Sequence, residues 1–481
     1  MTLDELGRGG RQPPLPLTLD LAGEPLCIER WLRVLPGQRY VGQARWQGRA
    51  VLAKLMVGRR AARQFARERE GAAQLAGQNL ATPALLAQGE GEGGAWLLFA
   101  FLDGAVSLDA EWRALADEPP QAPSRRALLE EALAAVAALH RVGLWQDDLH
   151  LDNLLRHAGR LYLVDGGGVR GEHPGRPLAA ARVADNLGVL FAQLPLENDP
   201  LIGALLPAYL AANPVPALEV AKVREATRRV RQWRLRDYLD KAGRDCSLFS
   251  VRRDGSGVRA VWREAEAGLA TLLEDPDGWI ASGHRYKDGG TATVARVEQG
   301  GQVRVVKRYN IKNLAHRLSR CWRPSRAWHS WLSAHRLRLL GIATPTPLAV
   351  IEERWHGLRG RAYLVTDYLP GQDILACFQP YLDSAPPEAM LDALDRLFAA
   401  LIAARLSHGD LKGTNLLWQA RGRGDWCVID LDAMQAHRSR AGFERAFQRD
   451  RARFMRNWPA DSVLYRLLDE RIPKTSLEAD A

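Results

Sequence analysis

The chain has 481 residues, 66 Lys and Arg against 56 Asp and Glu, and a formal net charge of +10. That length allows two to three domains with cores of their own, and the positive excess needs an anionic surface or partner to meet it. No run of about 18–20 uncharged apolar residues occurs, which excludes a membrane-spanning helix. A secretory leader is not expected, and five scattered cysteines (Cys27, Cys246, Cys321, Cys377 and Cys427) without a CxxC point to a reducing, cytoplasmic setting.

In chain order, residues 1–24, with Gly9-Gly10 and Pro13-Pro14, read as a loosely ordered lead-in. Leu35-Pro36-Gly37-Gln38-Arg39 is a turn with too little pattern to be a motif by itself. Ala50-Val51-Leu52-Ala53-Lys54-Leu55 reads as an apolar strand carrying one lysine, and the charged stretch Arg63 to Leu75 as a helix, with Glu68 as the lysine's partner and Glu70 as the alternate. Asn79-Leu80-Ala81-Thr82-Pro83 closes that helix and leads into a strand. Trp96 to Gly104 reads as a strand running into a hinge. Next comes Gln146-Asp147-Asp148-Leu149-His150-Leu151-Asp152-Asn153-Leu154-Leu155, then the apolar run Leu161-Tyr162-Leu163-Val164 ending in Asp165.

After a basic helix (Lys222, Arg224, Arg228, Arg229, Arg231, Arg234, Arg236), Arg252-Arg253-Asp254-Gly255-Ser256-Gly257 and the acidic Glu274-Asp275-Pro276-Asp277-Gly278 read as a linker. The series then repeats. Gly289 and Gly290 sit in a hairpin-like turn, Asp288-Gly289-Gly290-Thr291. Val303-Arg304-Val305-Val306-Lys307 is a second lysine strand. Arg326 to Leu340 matches the first half's charged helix but contains no acidic residue. Gly341-Ile342-Ala343-Thr344-Pro345 and Tyr363 to Gly371 match the helix end and the hinge. His408-Gly409-Asp410-Leu411-Lys412-Gly413-Thr414-Asn415-Leu416-Leu417 and Cys427-Val428-Ile429-Asp430 close the series. The offset of roughly 250–265 residues is too long for a solenoid and implies a duplicated domain.

The repeated unit is Asp, an Asn at D-x-x-x-x-N spacing, and a second Asp after a buried strand, with a lysine strand about a hundred residues upstream. Phosphoryl transfer requires positioning of a hydroxyl and neutralisation of charge, with little covalent chemistry. In this pattern Asp148 and Asp410 would take the hydroxyl proton, Asn153, Asp165, Asn415 and Asp430 would hold Mg, and Lys54 and Lys307 would meet the ATP phosphates. Gly289, Gly290 and Lys412 are further candidates for ATP binding. The fold expected is α+β: two tandem bilobal protein-kinase-like domains, each with a small β-rich lobe and a helical lobe, over residues 25–242 and 279–481, with 243–278 as linker.

A second basic cluster runs Lys307, Arg308, Lys312, Arg317, Arg320, Arg323, Arg326, Arg336 and Arg338, interleaved with Trp322, Trp328 and Trp331. It suits an anionic lipid surface. No nucleic-acid-binding motif accompanies it, so nucleic acid is not expected as a partner.

Tyr286 to Val297, Val305 to Asn310, Arg323 to Trp328, Gly341 to Ala349 and the His408-Gly409-Asp410 loop together resemble the lipopolysaccharide core kinases, the Kdo/WaaP family. The resemblance covers most of residues 280–435 and extends, more loosely, to the family's heptose kinases over residues 30–170. It implies an ATP- and Mg-dependent kinase for heptose or Kdo hydroxyls of the lipid A–core, peripheral on the cytoplasmic face of a Gram-negative inner membrane. Two departures stand out. The loops read Gln-Asp-Asp and His-Gly-Asp without the Arg that answers a phosphorylated activation loop, and the second Asp is followed by Gly166-Gly167 or Leu431-Asp432 without Phe.

Overall fold

The computed structural model describes residues 1–173, 175–215, 218–310, 325–355 and 358–475. The chain divides into two compact units, residues 1–194 with 198–231 and residues 195–197 with 232–481; the division falls inside the helix Val220–Lys241.

The first unit carries a six-stranded antiparallel sheet in the order Leu17–Leu21, Glu24–Leu35, Arg39–Trp46, Arg49–Val57, Gly94–Ala100, Leu85–Gly91. Lys54 lies on the strand Arg49–Val57, opposite Val41 on one neighbour and Leu97 on the other. The helix Ala61–Gly77 covers this part of the sheet, with Phe65 and Ala72 packed among Met56, Ala95, Leu97 and Phe99. A separate core gathers the helices Pro123–Arg141, Ala180–Phe191 and Leu201–Ala212 around Leu129, Leu133, Val136, Leu187, Leu205 and Tyr209.

The second unit has a seven-stranded sheet in the order Phe249–Asp254, Gly257–Trp262, Pro347–Trp355, Leu358–Asp367, Gln302–Tyr309, Ala292–Gln299, His284–Asp288. Lys307 lies opposite Leu364 and Val294, as Lys54 lies opposite Leu97 and Val41. The helix Arg326–Leu339 packs Ala327 and Trp331 beneath Val350 and Leu364. The helices Glu388–Ala404 and Arg440–Met455 share a second core of Leu394, Phe398, Leu401, Phe443, Phe447 and Phe454.

The structure departs from the sequence expectation at two stretches. Residues 1–24 are not a loose lead-in. Thr2 caps the helix Leu3–Gly7, Leu3 and Leu6 are buried, and Leu17, Leu19 and Leu21 alternate inward from an edge strand. Nor is 243–278 a linker. Asp254-Gly255-Ser256-Gly257 is a hairpin turn in which Asp254 pairs with Gly257 and the Asp254 carboxylate accepts from Ser256 N at 2.8 Å. Asp275 is the N-cap of the helix Pro276–Ser282, accepting from Gly278 N at 2.9 Å. Turn and cap residues have the same composition as a linker. The distinguishing sign is the apolar set flanking the turn, Phe249, Val258, Ala260 and Val261, all of which are buried.

Phe249 is fully buried against Trp262, Trp331 and His335. Phe249→Ala should therefore cost about 3–5 kcal/mol in urea unfolding of the transition that reports the second unit. An unchanged midpoint would mean that this stretch is a linker after all.

Candidate functional site

In the first unit the Lys54 ammonium meets the Glu68 carboxylate and Asp165 Oδ1, the latter at 3.3 Å. Glu68 is buried on the helix Ala61–Gly77; Glu70 is exposed and bonded to Gln74, so it takes no part. Asp165 sits in the left-handed region (φ 66°, ψ 66°), a conformation that costs a non-glycine residue about 1–3 kcal/mol. Gln146 Nε2 holds this turn by donating to the carbonyls of Val164 (2.8 Å) and Asp165 (3.0 Å). Burial works to raise the Asp165 carboxyl, but Lys54 and Arg39 outweigh it and hold the group below the usual carboxylate range. Asn153 ties the loop together: its Nδ2 donates to Asp148 O at 2.9 Å, and its own carbonyl accepts from Val164 N at 3.0 Å. The Asp148 side chain is 72% exposed, and His150 Nε2 stands 3.8 Å from it.

The second unit is built with the same ties. His408 Nε2 faces Ile429 O at 2.9 Å, as Gln146 Nε2 faces Val164 O, so the imidazole proton belongs on Nε2. Asn415 Nδ2 donates to Asp410 O at 2.9 Å and Ile429 N to Asn415 O at 3.0 Å. Asp430 is left-handed as well (φ 60°, ψ 60°). Lys307 Nζ bonds Asp430 Oδ1 at 2.6 Å. Burial raises the Asp430 carboxyl, and Lys307, with smaller help from His408 and Lys412, brings it below its usual range. Asp410 differs from Asp148 in its company, since Arg453 Nε stands at 2.5 Å and Lys412 Nζ at 3.5 Å.

The acid absent from the helix Arg326–Leu339 is supplied from the loop. Lys307 Nζ reaches Asp432 Oδ1 at 2.9 Å, and Tyr309 OH (2.7 Å) and Ser330 Oγ (2.9 Å) donate to the same oxygen. Asp432 lies two residues after Asp430, where Gly167 lies after Asp165. Ser330 lies fourteen before Thr344, where Glu68 lies fourteen before Thr82. A Cβ on Gly167 would come within 2.7 Å of Glu68 Oε2. One carboxylate beyond that of Asp165 or Asp430 fits beside the lysine; it comes from the helix when the loop has glycine and from the loop when the helix has serine. Asp432 carries no motif of its own in the sequence, and the complementary pairs Glu68/Gly167 and Ser330/Asp432 are the signal that finds it.

The donor set fits a nucleotide-bound Mg ion, which takes oxygen ligands from one or two protein groups together with phosphates and water. Each loop offers one carboxylate (Asp165 or Asp430). The amide oxygens of Asn153 and Asn415 accept no hydrogen bond from described residues, because each side chain is fixed through its nitrogen. Among the described residues no cluster of three or more His, Cys, Asp or Glu forms a metal site made of protein ligands alone.

Gly289 and Gly290 lie at the hairpin between His284–Asp288 and Ala292–Gln299, with Gly289 O accepting from Asn310 Nδ2 at 2.9 Å. The nearest atom to a Cβ on Gly289 would be Lys287 Cε at 3.5 Å, so glycine is not sterically required there. The basic, tryptophan-bearing segment is split where it is described. Trp331 is fully buried, Arg336 is half-buried, Arg326 lies over Tyr309 and near Asp432 (3.7 Å), and Arg338 is exposed. Lys312, Arg317, Arg320, Trp322 and Arg323 fall outside the described residues. On the helix Val220–Lys241, Arg231 is buried against Asp199 and Arg229 pairs with Asp185. No helix among the described residues is long and apolar enough to cross a membrane.

Residues 277–463 match the model of the lipopolysaccharide kinase (Kdo/WaaP) family. The 3-deoxy-D-manno-octulosonic acid kinases of Xanthomonas campestris pv. campestris strains B100 and 8004 are each 29% identical over 192 residues, covering 37% of this chain and 73% of theirs. A solved chain described as WaaP in complex with acyl carrier protein is 22% identical with a TM-score of 0.33, covering 43% of this chain and 81% of its own.

The relocated carboxylate yields a test by exchange. In an Asp165→Ala background, Asp432→Gly should raise the Kd for Mg-ATP about tenfold or more, the scale of losing a charged hydrogen bond. Adding Ser330→Glu should recover most of that loss, read by titration calorimetry. A double exchange no tighter than Asp432→Gly alone would show that Asp432 does not stand in for Glu68.

Proposed function

We propose, from the match of residues 277–463 to the lipopolysaccharide kinase (Kdo/WaaP) family model, that this chain is an ATP- and Mg-dependent phosphotransferase acting on a heptose or Kdo hydroxyl of the lipopolysaccharide inner core. The reading includes two kinase-like modules in tandem, work at the cytoplasmic face of the inner membrane, and the lipid A–core oligosaccharide as acceptor. One observation carries it: within the family-matched residues, Lys307 is bonded to Asp430 at 2.6 Å, and Asn415 fixes the Asp430 strand to the Asp410 loop.

Bound Mg-ATP supplies the phosphoryl group and offsets the charge that develops on it. Asp430 and the Asn415 amide oxygen would hold the metal. Lys307, held by Asp432, would face the phosphates, and Lys412, 3.5 Å from Asp410 Oδ2, is placed to neutralise charge beside the acceptor. The Asp410 carboxylate would orient the acceptor hydroxyl and take its proton. Lys54, Glu68, Asn153, Asp165 and Asp148 would serve in the same roles in the first unit.

A second reading for the first unit alone is a nucleotide-binding scaffold without transfer. It is favoured by Asp148, which is 72% exposed with His150 as its one ion-pair neighbour among the described residues, and by a family match that begins at residue 277.

Asp410→Asn should retain the fold and lower the phosphorylation of core oligosaccharide that the second unit performs by about 10²–10⁴-fold. If both units transfer, each single change should leave the other unit's share of the rate and only Asp148→Asn combined with Asp410→Asn should give the full loss, whereas Asp148→Asn should leave the rate unchanged if the first unit is a scaffold. Full transfer by Asp410→Asn would remove the second unit from the chemistry.

A further inference from the structure

An open cleft of about 1000 Å³ lies beside Asp410 in the second unit, lined by Gly409, Ala433, Arg449, Arg453, Arg456 and Trp458 among others. We propose that this cleft is the acceptor subsite for an acidic sugar, in which Arg449 and Arg456 bind an oxyanion of the acceptor and Arg453 links that anion to the catalytic Asp410. The proposal rests on the reading of the second unit as a phosphotransferase and adds the chemistry by which it chooses its acceptor.

The charges around the cleft are unevenly satisfied. Arg451 is already held by Asp469 Oδ1 at 2.8 Å and by backbone carbonyls of Asp469, Ile472 and Pro473. Asp450 is turned toward the backbone, accepting from His408 N at 2.6 Å and Gly409 N at 2.9 Å. Burial raises its carboxyl, partly offset by those two donors. Arg453 bonds Asp410. Arg449 and Arg456 are exposed, line the cleft and form no ion pair within 4 Å among the described residues, although Arg449 lies near enough to Asp450 to help lower its carboxyl. Two guanidiniums outside close ion pairs and a third bridging to the proton acceptor form a surface suited to carboxylate or phosphate, which guanidinium groups bind in fork geometry. Met455, Trp458 and Tyr465 supply the apolar wall that a sugar ring needs.

The first unit provides the contrast. Asn186 on the helix Ala180–Phe191 donates to Gln146 O at 2.7 Å, anchoring the residue two before Asp148, as Asp450 anchors His408 two before Asp410. Counted from that shared anchor, the places of Arg449, Arg453 and Arg456 are taken by Asp185, Val189 and Ala192. The anion-binding set is thus confined to the second unit.

The test uses the full chain and three monosaccharides of one ring size, carboxylated, phosphorylated and neutral. Saturation-transfer NMR without nucleotide reads binding, and steady-state kinetics with Mg-ATP reads transfer. The wild type should bind an acidic sugar over the neutral one, and whichever acidic sugar binds more tightly identifies the anion. Arg449→Ala and Arg456→Ala should each raise KM for that acidic acceptor by about 10- to 100-fold, with little change in kcat or in KM for ATP and none in binding of the neutral sugar. Anion-selective binding that depends on both arginines but comes with no transfer would sustain the subsite and overturn the phosphotransferase reading. Transfer that prefers the acidic sugar equally in wild type and both variants, or no preference for it in the wild type, would overturn the subsite.

Discussion

The ion pair between a strand lysine and a loop aspartate is the interaction on which each unit's site depends. Lys54 reaches Asp165 and Lys307 reaches Asp430, joining residues more than a hundred positions apart in sequence. Neither pair is a free gain. Both aspartates occupy a strained left-handed backbone, and burial opposes their charge. The strain persists because the turn is over-determined: a side chain two residues before the loop Asp grips the carbonyl just ahead of the strained residue, and an Asn holds the loop Asp carbonyl through its amide while its own backbone carbonyl accepts from the N–H just ahead of the strained residue. Removing one member of either pair leaves the other without its counter-charge, a loss that water screens in part because the aspartates are about a third exposed.

Within that frame the units diverge in a way that conserves charge beside the lysine while moving its source. Glu68 needs the space above Gly167; Asp432 needs the short side chain of Ser330 and receives its hydroxyl. The packing of helix on loop follows the same logic. In the first unit a Cβ on Gly71 would lie 1.9 Å from Gly166 O, so the helix carrying Glu68 sits directly on the loop backbone. The divergence continues at the first Asp of each loop, where Asp148 is solvent-facing and Asp410 is flanked by Arg453 and Lys412.

Much of this was legible in the sequence because the informative residues are local. The D-x-x-x-x-N spacing, the apolar run before the second Asp and the lysine strands each occupy a short window, and the structure brings Lys54, Glu68 and Asp165 together, and Lys307 and Asp430. What local pattern hides is the identity of a neighbour contributed from elsewhere. Asp432 replaces a helix residue from a loop a hundred positions away, and Arg453 reaches Asp410 from a helix that carried no motif. Composition misled where one residue type serves two purposes. Gly, Asp and Pro at 254–257 and 274–278 make a hairpin turn and a helix cap, and Trp331, read as an interfacial ring, is in the core with its Nε1 donating to Ala242 O at 3.2 Å.

The most direct test of the lysine–aspartate clamp is a crystal structure of the full chain with Mg and a non-hydrolysable ATP analogue. The account predicts metal density on the Asp430 carboxylate and the Asn415 amide oxygen, with Lys307 on a phosphate while still bonded to Asp432, and an equivalent arrangement on Asp165, Asn153 and Lys54. Nucleotide bound away from Lys307, or metal held without Asp430, would contradict it.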